Sequence, residues 1–427
     1  MKRNIIYVAF LVLVFFAGAQ VTKGSGFLIY EHGAAAMAMG GAFVGVADDP
    51  TAIFHNPAGI AWLEGTQFSL GTTLIIFDAS VRLPNSLDPA FQEVDAESKV
   101  FYPSTFYLAH KFNDTITAGF GFYSPYGLGL EWPQDYPLRY ISTKSDMKTF
   151  FLNPCIALKF TDDLSFGFGI SYILATLDFL QVQRVDFSAI GMGEYDVPAT
   201  LDASGSAIGL NAGLLYRGEN YSLGFNWRGG FEIEFDGDIA LDPSELPAPV
   251  AAVFPKSGAA KTAFSFPHII GIGASFNLTD ALMLSADIHY VRWSSYDKFT
   301  VEIEIPDFED LLVVEEWDDS FLIRGGLQYL WKENIALRAG IIYDQTPQPV
   351  KTMDPILPDA DRWAFTGGFG YTSGNFVIDV AYQLELFKER RSPNRDILIF
   401  IPGGVNYGEG IYNTTAHLIG VSLGYKF

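Results

Sequence analysis

The chain has 427 residues, of which 15% are aromatic and only 18% charged. It is too long for one ordinary soluble domain and too poor in charge for a soluble surface. A net charge of −22 at pH 7 argues against a nucleic-acid partner, and the single Cys155 excludes an intramolecular disulfide framework.

The N-terminus reads MKRN, then IIYVAFLVLVFFAG, then AGA before Gln20. A basic start, a short apolar run and an A-x-A-like site predict a signal peptide over residues 1–19. Its removal takes Lys2 and Arg3 and brings the net charge to −24. No later apolar run reaches the length of a spanning helix.

Residues 20–67 do not alternate like strands. "EHGAAAMAMGGAFVGVA" is rich in small residues, and "DDPTAIFHNPAGIAWL" follows it. Asp49 predicts a helix cap with Pro50 first, and Asn56 a second cap with Pro57 first and Gly65 just past the end.

From residue 68 the pattern has a period of two. In "AHLIGVSLGYKF", Ile419, Val421, Leu423, Tyr425 and Phe427 share one face, and Gly420, Ser422, Gly424 and Lys426 the other. A soluble sandwich also alternates, but its outer face is charged. Here the non-apolar face is Gly, Ser, Thr and scattered charges, with aromatics near the ends of the apolar face. That is the pattern of a transmembrane barrel with a polar lumen.

Six tight polar turns begin near 112, 161, 217, 278, 332 and 373. Seven longer connections lie near 84–99, 124–147, 187–196, 242–262, 305–317, 346–360 and 391–411. Thirteen connections give fourteen strands, with the short turns on the periplasmic side. The strands are expected near 68–83, 100–112, 115–128, 147–160, 163–186, 197–217, 220–241, 264–277, 281–304, 318–331, 335–346, 361–373, 376–390 and 413–427. The fold class is an all-β membrane protein, a 14-stranded antiparallel outer-membrane β-barrel over 68–427. Such a barrel encloses more space than its own side chains fill, so residues 20–67 are expected inside it as a plug or hatch.

"SGFLIYEHGAAAMAMGGAFVGVADDPTAIFHNPAGIAWL" resembles the N-terminal hatch of the FadL/TodX-type outer-membrane transporters. Its most specific parts are Ala47-Asp48-Asp49 and Asn56-Pro57-Ala58. The resemblance continues through "LNPCIALKFTDDLSFGFGISY", "FSFPHIIGIGASFNLTDALMLSADIHYVRWSSY", "GIIYDQTPQPV" and "LPDADRW". It implies a monomeric barrel that takes up long-chain fatty acids or other hydrophobic small molecules. Substrate is captured in an apolar groove among the extracellular loops and passes beside the hatch. It leaves sideways through a gap at an inward kink of the third strand, into outer-membrane lipid beneath the lipopolysaccharide. An aromatic or alkane hydrocarbon channel is the alternative within the class. The hatch positions implied are Glu31, Asp48, Asp49, Asn56, Pro57 and Ala58. Tyr30 and His32 stand where the family often has Asn and Gln, so headgroup contacts near Glu31 do not carry over.

For the groove, the connection 124–147 offers Leu128, Leu130, Trp132, Tyr136, Leu138 and Tyr140; a loop core or an aromatic girdle explains the same residues. For the kink, Gly119 and Gly121 stand close together in the third strand, where glycine marks a bend or a close approach of hatch to wall. Parity sends Arg324, Arg338 and Arg362 into the lumen, as partners for an anionic headgroup or for Asp287, Asp344, Asp379 and Glu385. Segment 302–319 holds nine acids and no base; it offers ligands for divalent cations bridging lipopolysaccharide or for Ca²⁺, but without EF-hand spacing it reads as a solvated or cation-screened loop. A barrel hydrolase is the competing class. His289 with Asp287 is the nearest thing to a catalytic pair, but no serine partners it and there is no HExxH or GxSxG. No enzyme, cofactor or metal is implied.

Overall fold

The computed structural model describes residues 26–83, 89, 92–188, 191–305, 308–393, 395–397, 405–407 and 410–427. The expected signal peptide lies outside these residues. Fourteen antiparallel strands close into a barrel. They are β1 (Thr66–Arg82), β2 (Ser104–Lys111), β3 (Ile116–Tyr123, resumed as Gly127–Glu131), β4 (Lys144–Lys159) and β5 (Leu164–Asp186). Next come β6 (Glu194–Arg217), β7 (Tyr221–Arg228 and Phe231–Leu241), β8 (Ser257–Phe266 and Ile269–Asn277) and β9 (Leu282–Val291 and Lys298–Glu304). The last five are β10 (Ser320–Lys332), β11 (Ile335–Asp344), β12 (Arg362–Ser373), β13 (Phe376–Phe387) and β14 (Ile411–Lys426).

Each strand pairs with its chain neighbour, and β14 returns to β1 in a ladder from Gln67↔Lys426 to Arg82↔Ile411. The sheet therefore closes on itself, the condition for strands to sit in hydrocarbon. The expected starts of β4, at 147, and β8, at 264, are late: the strands begin at Lys144 and Ser257. Their upper ends run past the apolar band, where alternation fades.

Outward positions such as Ile272, Phe365, Ile378 and Val421 are exposed, whereas Asp287, Thr366, Asp379 and Ser422 face in and are buried. Phe112, Phe160, Tyr221, Trp331, Phe376 and Phe427 ring the turn end, a girdle at the membrane interface.

Residues 26–65 lie inside. They carry α1 (Ala34–Ala38), α2 (Ala52–His55) and a 3-10 turn (Pro57–Trp62). Helices this short are not stable alone, so the wall holds them. Ala34 N donates to Ser422 Oγ of β14 at 2.9 Å, and Ala38 O accepts from Thr366 Oγ1 of β12 at 2.9 Å. Phe43 N and Val44 N both donate to Asp287 Oδ2 of β9, at 2.7 and 2.8 Å. Ala58 O accepts from Ser165 Oγ of β5 at 2.9 Å. Buried backbone groups that a longer helix would satisfy internally are thus satisfied by polar lumen side chains.

Asp49 does not cap α2. The helix begins three residues later, and Asp49 Oδ1 accepts from Thr51 N at 2.7 Å in a local turn. Pro50, locked near φ −65°, fits that turn as well as a first helical position. Asn56 does cap the 3-10 turn, its Oδ1 accepting from Ala58 N at 3.2 Å with Pro57 first.

Candidate functional site

The third strand is interrupted at Ser124-Pro125-Tyr126. Below the interruption β3 pairs with both neighbours, β2 over Phe106–Lys111 and β4. Above it, Gly127–Glu131 pairs with β4 alone. The place β2 would take is filled from inside. Ile29 N donates to Pro125 O at 2.9 Å, Gly127 N donates to Phe27 O at 3.0 Å, and Leu28 bridges Tyr126. Thr149 of β4 fixes the other side, donating to Tyr126 O at 2.7 Å and accepting from Ser124 Oγ. Proline has no amide for a ladder, so Pro125 suits a strand turning inward to pair with the hatch.

The inward turn leaves a window between β2 and the upper half of β3. It is bounded above by Glu97 N donating to Glu131 O at 2.7 Å and by the Lys99–Glu131 ion pair. A cavity of about 610 Å³ opens through it. Its inner wall includes Phe27, Ile29, Glu31, Arg362, Glu385 and Phe387. Its outer rim includes Val100, Tyr102, Phe122 and Phe150, of which Tyr102 is 70% exposed on the lipid side. The lining is mostly apolar, and the volume suits a small molecule.

The hatch N-terminus beside this cavity is held firmly. Phe27 sits among Trp293, Tyr296, Trp317, Tyr126 and Phe266, with ring centroids 4.7 to 6.2 Å away. Gly26 N donates to Asp359 Oδ2 at 3.1 Å. Burial pushes the Asp359 carboxyl up to about 6, against the opposing charge of Arg362.

Residues 15–427 match the family model described as outer membrane protein transport protein (OMPP1/FadL/TodX). The chain belongs to this family. It is 24% identical to the long-chain fatty acid transport protein of Salmonella typhi over 76% of this chain and 79% of that one. It is 22% identical to outer membrane protein P1 of Haemophilus influenzae over 91% and 93%. A Pseudomonas aeruginosa FadL homologue superposes with a TM-score of 0.82 at 20% identity, over 94% of this chain and all of that one. The Pseudomonas putida toluene transporter TodX gives 0.71 at 18% identity, over 95% and 99%. These likenesses place this OMPP1/FadL/TodX member in the bacterial outer membrane.

The expected groove residues of this family member divide. Leu128 and Leu130 line the cavity. Trp132, Tyr136, Leu138 and Tyr140 do not; they are buried in a loop core with Val81, Val182, Met353 and Tyr412. Trp132 stacks on Tyr136 at 5.6 Å, and its indole N–H donates to Pro355 O at 3.0 Å. Long loops must bury apolar surface somewhere, and here they bury it in one another.

Gly119 and Gly121 do not mark the interruption. Both lie in the regular ladder, opposite Ala109 and Tyr107 of β2. A Cβ on Gly119 would meet Ile53 and Ile60 of the hatch at 2.9 Å, and one on Gly121 would meet Ile53 at 3.0 Å. They admit the hatch to the wall. The signal for the interruption was Pro125, two residues past Tyr123.

Of the three lumen arginines, only Arg362 reaches the cavity. Arg338 pairs with Asp379 at 2.6 Å and Gln328 at 2.7 Å. Arg324 lies over the Tyr30 ring at 4.0 Å and donates to Gly41 O at 3.4 Å. Arg362 pairs with Asp344 at 2.6 Å. Sequence reading missed Arg228, which is buried between hatch and wall, donating to Tyr123 OH at 3.2 Å and Phe54 O at 3.3 Å.

Among the hatch positions, Glu31 lines the cavity and accepts from Gln383 Nε2 at 3.0 Å. Asp48 lies at the other end, in a polar pocket of about 270 Å³ with Arg217 and Asp280. Asn56 is fully buried, and its Nδ2 donates to Val44 O at 2.9 Å and Leu214 O at 3.0 Å. Those bonds tie hatch to hatch and hatch to β6. Asp287 Oδ2 accepts the Phe43 and Val44 amides, while its Oδ1 and His289 Nδ1 have no hydrogen-bond partner, so the two side chains do not form a catalytic pair.

The acidic segment is not simply a solvated loop. Trp317 is buried against Phe27 and Trp293, Glu315 accepts its indole N–H at 2.8 Å, and Glu316 pairs with Lys351. Among the described residues, no group of three or more His, Cys, Asp or Glu is arranged to hold a metal ion.

Proposed function

We propose that this barrel carries hydrophobic molecules, long-chain fatty acids foremost, from outside the cell to the outer membrane through a window in its own wall. One observation carries the reading: the apolar cavity beside the hatch N-terminus is continuous with the gap between β2 and β3, from Ile29 and Phe387 inside to Tyr102 and Phe150 outside. An apolar solute gains nothing by entering a water-filled pore. A lined path ending in the bilayer spares it the aqueous lumen.

The hatch supports the same reading. It fills the lumen below the cavity and is bonded to β1, β5, β6, β7, β9, β12 and β14. It blocks a straight route and leaves the lateral one. The Salmonella typhi relative's name supports fatty acids as the substrate; a hydrocarbon is the second reading, supported by the uncharged character of most of the lining.

The test is uptake of radiolabelled oleate and of toluene by cells expressing the chain in place of their own transporters, with mass spectrometry of lipids co-purifying with the detergent-extracted barrel. Uptake above background with an apolar co-purifying ligand is expected. No uptake of either, with no apolar ligand retained, would overturn the reading.

A further inference from the structure

We propose that the deep end of the wall cavity takes an uncharged group and turns away a carboxylate anion, so that a fatty acid enters as the neutral acid. This rests on the cavity being the transport site.

The deep end is closed by Arg362, the obvious anchor for a carboxylate. Its guanidinium is already committed. Nη2 lies 2.6 Å from Asp344 Oδ2, Nε lies 3.6 Å from Glu385 Oε2, and the group sits over the Phe387 ring at 5.0 Å. Glu31 of the hatch adds a further carboxylate. Gln383 Nε2 donates to Glu31 Oε1 at 3.0 Å and to Glu385 Oε1 at 2.6 Å, tying the two acids to one amide. Asp359 comes from the loop before β12, and Arg390 behind it gives its donors to Thr346 Oγ1 and to the carbonyls of Asp359 and Gln348. The other cation on the lining, Lys148, stands towards the outer rim and pairs with Asp146 at 2.8 Å.

Four carboxylates, Glu31, Asp344, Asp359 and Glu385, thus gather around Arg362, with Arg390 turned to the loop backbone. A carboxylate anion arriving there meets like charge beside a mostly apolar lining, and among the described residues no cation is left over to pair with it. A hydroxyl or a protonated carboxyl instead meets acceptors. Each donates one hydrogen to Glu31 or Glu385 while its chain lies along Ile29, Leu128 and Phe387. An alkyl end meets the Phe387 ring and costs no charge contact at all.

The experiment is equilibrium dialysis of the purified full-length barrel in non-ionic detergent at pH 8, with radiolabelled 1-hexadecanol and palmitate. Hexadecanol is expected to bind more tightly by about tenfold or more, equivalent to one decade in Kd. The double variant Glu31→Gln, Glu385→Gln is expected to narrow the gap by strengthening palmitate. Heat-modifiable gel mobility reports whether each variant is folded, and Glu31→Gln alone serves if the double variant is not. Palmitate binding as tightly as hexadecanol in the unaltered barrel overturns the proposal, as does an unchanged ratio in the folded variant. Binding of neither ligand overturns the transport reading beneath it.

Discussion

The Phe27 carbonyl accepts the Gly127 amide at 3.0 Å, so the hatch acts as the strand that β3 lacks on its open side. The wall is open there because its partner lies inside the lumen. The rerouted bonds satisfy Pro125 O and Gly127 N from inside, groups that an open sheet edge would leave bare.

Filling the window should stop transport and leave the fold intact. A Cβ on Gly129 would run into the Phe101 ring across the gap, and one on Gly127 would meet Ile29 Cδ1 at 2.9 Å. Gly129→Val is expected to abolish most oleate uptake with normal heat-modifiable mobility. Gly121→Val would press on Ile53 of the hatch and is expected to lower barrel yield instead. Normal uptake by Gly129→Val sinks the window as the route.

Asp287 ties the hatch to the wall through two backbone amides. Asp287→Ala leaves the Phe43 and Val44 amides without their acceptor, at a cost of about 1–3 kcal/mol for each buried unsatisfied group. The expected result is a loosened hatch, seen as single-channel conductance in planar bilayers where the unaltered barrel is quiet. A silent Asp287→Ala channel would show that the hatch does not depend on this carboxylate.

Trp132 and Leu130 should separate loop stability from ligand binding. Trp132→Ala empties a fully packed site and is expected to cost about 3–5 kcal/mol. External protease should then nick the loops. Leu130→Ala, on the cavity, is expected to weaken ligand binding without nicking. Reversed outcomes would return Trp132 to the capture surface.

Asp359 gives stability a pH dependence of known sign. Its carboxyl is held at about 6 in the folded chain, above its usual value. The folded state therefore keeps a proton that the unfolded state gives up. That contribution is complete below pH 4, falls as the pH rises towards 6, and is flat above. At about 1.36 kcal/mol per unit, the span is on the order of 2–3 kcal/mol. Melting in detergent at several pH values should show the decline, and Asp359→Asn should flatten it. An equal slope in both would assign the dependence to other groups.

The barrel was legible in the sequence because its signals are local. Alternation along Phe376–Phe387 and the turns at Asn113 and Asp163 are each set by a few adjacent residues. The window followed from the family resemblance and not from local signals, because it depends on two segments about a hundred residues apart. Nothing near Gly127 says that Phe27 will be its partner. Gly119 and Gly121 misled for the same reason: a glycine in a strand signals close approach, but only the fold shows that Ile53 approaches. Trp132 misled because an aromatic loop reads alike whether it packs inward or faces a ligand. The arginines were placed on the correct face by parity, yet parity is silent on which acid each one meets.

The seam between β1 and β14 joins the two ends of the barrel sequence. The first and last strands join only when the whole chain is present, which makes this the pairing of greatest sequence separation and the slowest to find. The hatch precedes β1 and ends up enclosed, bonded to strands on every side of the lumen. It bonds both seam strands, Thr73 of β1 donating to Glu31 O at 3.0 Å and Ser422 Oγ of β14 accepting from Ala34 N at 2.9 Å. Damage to the hatch should therefore loosen the seam as well as the plug, since the two strands that close the cylinder share it as a common support.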